Sequence, residues 1–354
     1  MKAKKYMPLI VLAAVVVVLG AALVFLNTLD EEEDTGIALF DFDSSTVTAL
    51  SYRDGETEVT LLQNEDWYLQ QDEDLPLAQD TVTSLVEDFT SLQAVRDLGT
   101  EADTSEMGLD DPTLVFTLGT DGADLASAET AATGEAAQGV YTVTIGAENS
   151  ITEAYYASVS WNDHVYTIDA ASLSGLVKTP RDLYQAQDIT GLEQDEVTTL
   201  TLQTSGEAMT FTYTDGTWSL DGDPDFTPDQ DALDKMTDTI CTMESEMTIT
   251  HPEEDSVYGL DDPQAVVTLT ASDGTTITCS FGNVSDSDSE VCYMRSSHKA
   301  GVVYEVDADH LAAFAYTKET LQAATAETAE EEDSSDIIAE NPVGGSDDYA
   351  NANS

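Results

Sequence analysis

The sequence predicts an α+β protein with an N-terminal transmembrane helix followed by two duplicated β-rich modules. Each module is expected to pack one long helix on antiparallel strands. Three observations carry this prediction. A long uncharged run follows three lysines near the start of the chain, the string Gly-Leu-Asp-Asp-Pro occurs twice, and each half alternates short runs of period two with one helical run. The length of 354 residues also suits about two domains.

The opening run is long enough to cross a membrane. The apolar segment at 7–26 reaches roughly 30 Å at about 1.5 Å per residue. Lys2, Lys4 and Lys5 precede it and an acidic linker at 30–37 follows it, which predicts a cytoplasmic N-terminus and an extracytoplasmic body. A cleaved signal peptide is the alternative, but its apolar region is only about 7–15 residues long and ends in small residues. The sequence therefore favours a single-pass anchor retained in the cell membrane.

The charge balance restricts the partners. The chain has 11 basic and 70 acidic residues, a formal net charge of −59. Such a surface repels phosphates, so nucleic acid is excluded as a partner. Docking on an anionic membrane through a basic patch is disfavoured for the same reason.

An internal repeat organises the body. Trp67 and Trp218 are 151 residues apart, and so are the two copies of the five-residue string. This separation predicts two modules of the same fold, at 38–180 and 181–320. The repeated string, called the turn motif below, comprises Gly108, Leu109, Asp110, Asp111 and Pro112 in the first copy and Gly259, Leu260, Asp261, Asp262 and Pro263 in the second.

Each module is expected to contain three strands, one helix and four more strands. Alternating apolar residues predict the strands, and apolar residues at helical spacing predict helices at 77–97 and 228–247. In the second module, Thr227, Pro228 and Gln230 read as a capping box that starts the helix.

The remaining segments are predicted to lie outside the packed modules. Residues 1–29 form the cytoplasmic lysines and the anchor. The first module carries an insertion at 119–139 whose small, polar residues indicate a flexible loop. The segment at 321–354 is acidic and poor in apolar residues, which predicts a disordered tail.

The turn motif has a structural and a catalytic interpretation. Its paired aspartates are candidates for acid/base chemistry, but adjacent side chains diverge, whereas a glycosidase pair faces across roughly 5–10 Å. The structural interpretation accounts for every residue. Glycine allows a positive φ, leucine fills the core, aspartate bonds the turn, and proline sets the entry to the next strand. No catalytic residue is predicted.

Two acidic loops carry candidate metal ligands. An EF-hand starting at Asp221 would need glycine at position six and glutamate at position twelve, where the chain has Phe226 and Ala232. We therefore predict no specific metal site and no cofactor, and leave weak divalent-cation binding by the acidic surface as an alternative. The weak candidates are Asp221, Asp223, Asp225, Asp286, Asp288 and Glu290.

The cysteines also leave two interpretations. Cys279 and Cys292 lie on successive predicted strands, where a cross-strand disulfide is geometrically allowed. The first module has Val143 and Tyr156 near the corresponding positions, which favours a core role for both cysteines.

The anchor, the duplicated module and the turn motif followed by an apolar strand resemble the domain of unknown function 4340 family. The junction Thr179-Pro180-Arg181-Asp182-Leu183 adds to the resemblance, which covers residues 38–320. Members of that family are bacterial and membrane-anchored, and some are encoded beside ABC-type transporters as auxiliary components. The resemblance implies no catalytic residues.

These observations predict a non-enzymatic, membrane-anchored binding or scaffold protein outside the cytoplasm. By resemblance, its partner would be a membrane protein such as an ABC-type transporter. The alternative is an extracytoplasmic hydrolase or carbohydrate-processing enzyme that uses carboxylates at a cleft between the modules.

Overall fold

The computed structural model describes residues 36–100, 106–125, 139–204 and 208–323. The expected membrane anchor lies outside the described residues, as do most of the insertion and most of the tail. In the described part of the chain, no helix is long and apolar enough to cross a membrane. The chain divides into two compact units, 1–185 and 186–354. Their described residues are called the first and second modules.

The first module is built mainly from strands. A helical turn at Ser44–Thr46 leads into its main sheet. Its strands are β1 (Ile37–Ala38), β2 (Val47–Arg53), β3 (Glu58–Gln63), β4 (Trp67–Leu69), β5 (Gln93–Ala94), β6 (Arg96–Gly99), β7 (Leu114–Thr120), β8 (Val140–Asn149), β9 (Ala154–Val159) and β10 (Val165–Asp169). Its helices are α1 (Gln79–Thr90) and α2 (Ala170–Leu173).

In its described residues the second module repeats the order of the main-sheet strands, the long helix and the final short helix, without a counterpart of β1 and β5 and with one more short helix. Its strands are β11 (Val197–Gln203), β12 (Met209–Thr214), β13 (Thr217–Leu220), β14 (Met247–Ile249), β15 (Ala265–Ala271), β16 (Thr276–Val284), β17 (Val291–Ser296) and β18 (Val303–Asp307). Its helices are α3 (Gln230–Cys241), α4 (Asp255–Tyr258) and α5 (Asp309–Ala312).

The two modules share one sheet topology. The first sheet has the order β4-β3-β2-β7-β8-β9-β10-β6, and the second has the equivalent order β13-β12-β11-β15-β16-β17-β18-β14. All neighbours in both sheets are antiparallel. The prediction of two similar β-rich modules is therefore confirmed. The eighth strand of each sheet, β6 or β14, was not predicted, because it falls in the segment assigned to the helix or directly after it.

The two long helices are shorter than predicted. Helix α1 ends at Thr90 rather than at residue 97, and the chain then turns at Ser91 into β5. Val95, an apolar residue inside the predicted range 77–97, lies beyond the helix and is 41% exposed. Helix α3 likewise covers only residues 230–241 of the predicted 228–247.

Each long helix packs on one face of its sheet. In the first module, the Phe89 ring lies 4.8 Å from the Phe116 ring and stacks on the Tyr52 ring at 5.5 Å between centroids. In the second, Leu233 and Ile240 are fully buried against the strands. Side chains alternate between the two faces of a strand, so the strand residues next to Tyr52 and Phe116 point away from the helix.

The face away from the helix carries rows of hydroxyl groups. One row crosses the first sheet through Thr60, Ser51, Thr117, Thr142 and Ser160. The equivalent row of the second sheet contains Thr210, Thr201, Thr268, Thr278 and Ser297. Oγ1 atoms of opposite threonines in these rows are 3.0–3.1 Å apart. These two sets are called the hydroxyl rows.

The last segment of each module, called the closing strap, contains Leu183 in the first module and Leu321 in the second. It is hydrogen-bonded to the residue that precedes the long helix. Leu183 and Leu321 are both fully buried, and their carbonyls accept hydrogen bonds from Ala78 N and Asp229 N at 2.9 and 2.8 Å. The first module continues to Gln185, beyond the expected boundary at residue 180, because Gln185 N donates to Pro76 O.

A glutamine protects the outer edge of each sheet. The Gln79 amide accepts from Trp67 N at 2.7 Å and donates to Trp67 O at 2.9 Å, and Gln230 makes the same pair with Trp218 at 2.7 and 3.0 Å. An edge strand otherwise exposes unpaired backbone groups to other chains. The predicted capping box is therefore wrong. The Asp229 carboxylate caps α3 by accepting a hydrogen bond from Ala232 N, and the Gln230 amide pairs with the Trp218 backbone instead.

We expect Gln230→Ala to lower the free energy of unfolding of the second module by about 1–3 kcal/mol, because it leaves two backbone groups of a buried tryptophan unpaired. Urea unfolding followed by circular dichroism measures this loss. Gln203→Ala, an exposed glutamine of β11, is the matched control. Equal effects of the two substitutions would contradict the role assigned to Gln230.

Candidate binding groove

The turn motif brings the backbone unusually close to the neighbouring strand. Gly108 and Gly259 have φ values of 68° and 71°, a region that favours glycine. A Cβ atom at Gly259 would lie 2.4 Å from the Asn283 side chain, and one at Gly108 would lie 2.8 Å from Ala147 N. Both positions therefore favour glycine for conformation, and at Gly108 the Ala147 backbone also leaves no space for a Cβ atom.

A second glycine faces the motif from the strand. A Cβ atom at Gly146 in β8 would lie 2.1 Å from Met107 O, and one at Gly282 in β16 would lie 2.1 Å from Tyr258 O. The strand register shifts next to both glycines, as in a β-bulge. This paired arrangement of turn and strand glycine is called the glycine crossing.

The motif leucines lie over the strand glycines but differ in burial. Leu260 is 8% exposed and packs with Tyr258 and Val303 in a small apolar cluster. Leu109 is only half-buried. The expectation that both are core residues is therefore wrong for Leu109. The four motif aspartates are exposed in both modules.

The residue after the motif proline is held at the same place in each module. Thr113 N donates to Ile145 O at 2.9 Å, and Thr113 Oγ1 donates to Gly146 O at 2.9 Å. In the second module, Gln264 N donates to Phe281 O and Gln264 Nε2 to Gly282 O, both at 2.8 Å. The glycine crossing thus fixes the start of β7 and of β15.

A groove opens beside this position in each module, between the start of the strand and the short helix α2 or α5. The first groove has a volume of about 380 Å³ and the second about 600 Å³. Residues at equivalent positions line both. They are Asp54, Thr113, Leu114, Ala170, Leu173 and Val177 in the first groove and Thr204, Gln264, Ala265, Ala308, Leu311 and Ala315 in the second.

The second groove continues into a polar extension of about 750 Å³. Thr204, Tyr316 and Thr317 line both parts. In the extension, Lys318 Nζ lies 2.7 Å from Asp223 Oδ2 and 5.3 Å from the centre of the Phe226 ring. The hydrogen bond from Lys318 lowers the pKa of Asp223 and so favours the carboxylate form of that side chain.

The candidate metal ligands do not assemble into a site in the described part of the chain. Asp221 accepts a hydrogen bond from Thr212 Oγ1 at 2.9 Å, and Asp223 is held by Lys318. Among the described residues, no group of three or more His, Cys, Asp or Glu side chains is placed to hold a metal ion. The other four candidates, Asp225, Asp286, Asp288 and Glu290, are exposed.

The cysteines belong to the core. Cys279, Cys292 and Cys241 are all free and buried. Cys279 faces Ser296 across the ladder and Cys292 faces Val284, so the two do not oppose each other and the disulfide interpretation is wrong. Burial raises the pKa of Cys279 to about 12 and that of Cys292 to about 11, which leaves both thiols protonated and unreactive.

Sequence reasoning missed the grooves because each joins segments far apart in the chain. A usable signal was nevertheless present. Ala170 and Leu173 recur as Ala308 and Leu311, after the last strand of each module. Only the sheet order shows that these residues lie beside Thr113 in the first module and Gln264 in the second.

The family described as "Domain of unknown function (DUF4340)" matches the chain over residues 67–217 and 218–346, more than half of its length. The chain belongs to this family. The two DUF4340 matches begin at Trp67 and Trp218, the tryptophans held by the edge glutamines. Comparisons of the chain with curated proteins and with solved structures find no significant match.

The difference in burial between the motif leucines of the two DUF4340 segments predicts unequal effects of substitution. Leu260→Ala should lower the free energy of unfolding by about 2–5 kcal/mol because it empties a packed cluster. Leu109→Ala should cost about 1 kcal/mol, since that side chain already meets solvent.

Chemical denaturation of each variant measures both losses, with Asp262→Ala, an exposed motif residue, as the control. A loss for Leu109→Ala as large as that for Leu260→Ala would contradict the burial difference.

Proposed function

We propose that this DUF4340 protein is a membrane-anchored, extracytoplasmic binding or scaffold protein. Its partner would be a membrane protein such as an ABC-type transporter. The observation that carries the proposal is the repeated groove, formed by equivalent residues at the same place in both modules. Two grooves on one chain increase the effective affinity for a partner with two matching segments.

The lining of the grooves suits contact with a protein partner. The second groove is walled largely by Ala308, Leu311, Ala312 and Ala315, with Gln264 and Thr317 as polar groups. Binding sites commonly combine an apolar wall with a few oriented polar groups. The apolar wall would provide affinity, and the polar groups would orient the bound segment.

The N-terminal sequence supports the location. The apolar residues at 7–26 have the length of a membrane span, and three lysines precede them. An anchor of this kind would keep both modules near membrane proteins. Family members encoded beside ABC-type transporters suggest the class of partner.

The membrane orientation can be tested by labelling introduced cysteines, because the three native cysteines are buried and should not react. We expect a membrane-impermeant maleimide to label Ser289→Cys on intact spheroplasts, because Ser289 is exposed and its module lies outside. Ala3→Cys should be labelled only after lysis. Labelling of Ala3→Cys alone on intact spheroplasts would contradict the proposed orientation.

Partner binding can be tested with the tagged full chain, cross-linked in its native cells and purified in detergent. We expect mass spectrometry to recover the same transporter subunit repeatedly. The control is residues 1–37 fused to an unrelated soluble domain, which retains the expected anchor but lacks the modules. Recovery no greater than with this control would reject the transporter partner.

A further inference from the structure

We propose that the second groove and its polar extension bind an extended partner segment that carries an apolar side chain close to a lysine or arginine. This inference rests on the proposed binding function and names the chemistry of the partner. It concerns the second module alone, because the first module has different side chains at the equivalent positions.

The apolar part of the second groove is open because its side chains are small. Ala265 and Ala315 occupy the places held in the first module by Leu114 and Val177. The second groove, which has the smaller side chains, has a volume of about 600 Å³, and the first groove has a volume of about 380 Å³. Both modules share one sheet topology, and the smaller side chains leave room in the second groove for an apolar side chain supplied by a partner.

The extension gives the second groove a negative charge. Asp221, Asp223 and Glu319 contribute three negative charges and Lys318 one positive charge, a net charge of −2. Lys318 and Asp223 neutralise each other as an ion pair. Asp221 and Glu319 are exposed and remain for a cationic partner.

The equivalent positions of the first module are less negative. Gln70 and Arg181 stand where the second module has Asp221 and Glu319, and Pro180 stands where it has Lys318. The first module has a net charge of −1 over all positions equivalent to the lining of the extension, against −2 in the second, since its charged residues there are Asp54, Glu58, Asp72, Lys178 and Arg181. The more negative extension thus accompanies the wider groove in the same module.

The two parts are continuous, since Thr204, Tyr316 and Thr317 line both. A segment lying along them would meet an apolar wall and then a negative region. Lysine and arginine next to leucine-like residues complement this order, whereas acidic segments and phosphates are repelled.

The probes are fluorescent ten-residue glycine/serine peptides, measured by anisotropy with the full chain in maltoside micelles. One peptide carries two leucines and two lysines. In the second, serines replace the leucines, and in the third, glutamates replace the lysines. Empty micelles give the background. We expect the leucine/lysine peptide to bind at least about tenfold more tightly than either other peptide.

Two variants introduce the side chains that the first module has at the equivalent positions, Val177 and Arg181. The two modules share one sheet topology, so these side chains should be tolerated. Ala315→Val narrows the groove, and Glu319→Arg reverses one charge of the extension. Both residues are exposed, so the fold should persist, as circular dichroism would verify. We expect each variant to weaken binding of the leucine/lysine peptide about tenfold.

Asp238→Arg, an exposed residue of α3, matches the charge change of Glu319→Arg and should leave binding unaltered. Equal weakening by Asp238→Arg and Glu319→Arg would overturn the inference, because it would mean that only net charge matters. Unchanged binding in Ala315→Val, or equal binding of all three peptides, would also overturn it.

These outcomes are separable from those of the proposed function. If the double variant Ala315→Val/Glu319→Arg still recovers a transporter subunit from cells, the function stands and this inference fails. If the wild-type chain binds the leucine/lysine peptide as expected but recovers no transporter subunit, the inference stands and that partner is rejected.

Discussion

The glycine crossing is the contact on which the rest of each module depends. A carbonyl of the turn approaches the strand so closely that a Cβ atom at Gly146 or Gly282 would lie 2.1 Å from it. The strand is irregular at this point, and the chain beyond the motif proline is bound to the same two strand residues in each module. The start of the next strand, and with it one wall of the groove, follows from this approach.

Comparing the two modules distinguishes the contacts that both share from the side chains that differ between them. The edge glutamine and the closing strap recur with nearly the same hydrogen-bond lengths, and the glycine crossing recurs with the same close approach. The groove residues share positions but differ in size and charge, as Val177 and Ala315 illustrate. A backbone fixed by few contacts leaves these lining side chains free to diverge, and two modules of one fold thereby present different surfaces.

Much of the fold could be predicted from sequence because the signals are local. Alternating apolar residues gave most strands, and the repeated turn motif gave the duplication. The edge strands β6 and β14 were missed, since their three or four residues carry no clear period and fall within or directly after the predicted helices. Gln230 was misassigned because an amide near a helix start suits a capping box equally well, and only the nearby Trp218 backbone decides its role. The groove was missed because its walls come from distant segments.

The hydroxyl rows have a consequence for so acidic a chain. Directly opposite side chains in a sheet lie about 5 Å apart, and like charges there are destabilising. Threonine keeps these positions polar without adding charge, so the strands adhere without mutual repulsion. Most carboxylates of the described residues lie outside the strands, in turns, loops and helices, where like charges repel neighbouring molecules. The contacts within the hydroxyl rows thus involve no charged groups, and their contribution to stability should be insensitive to ionic strength.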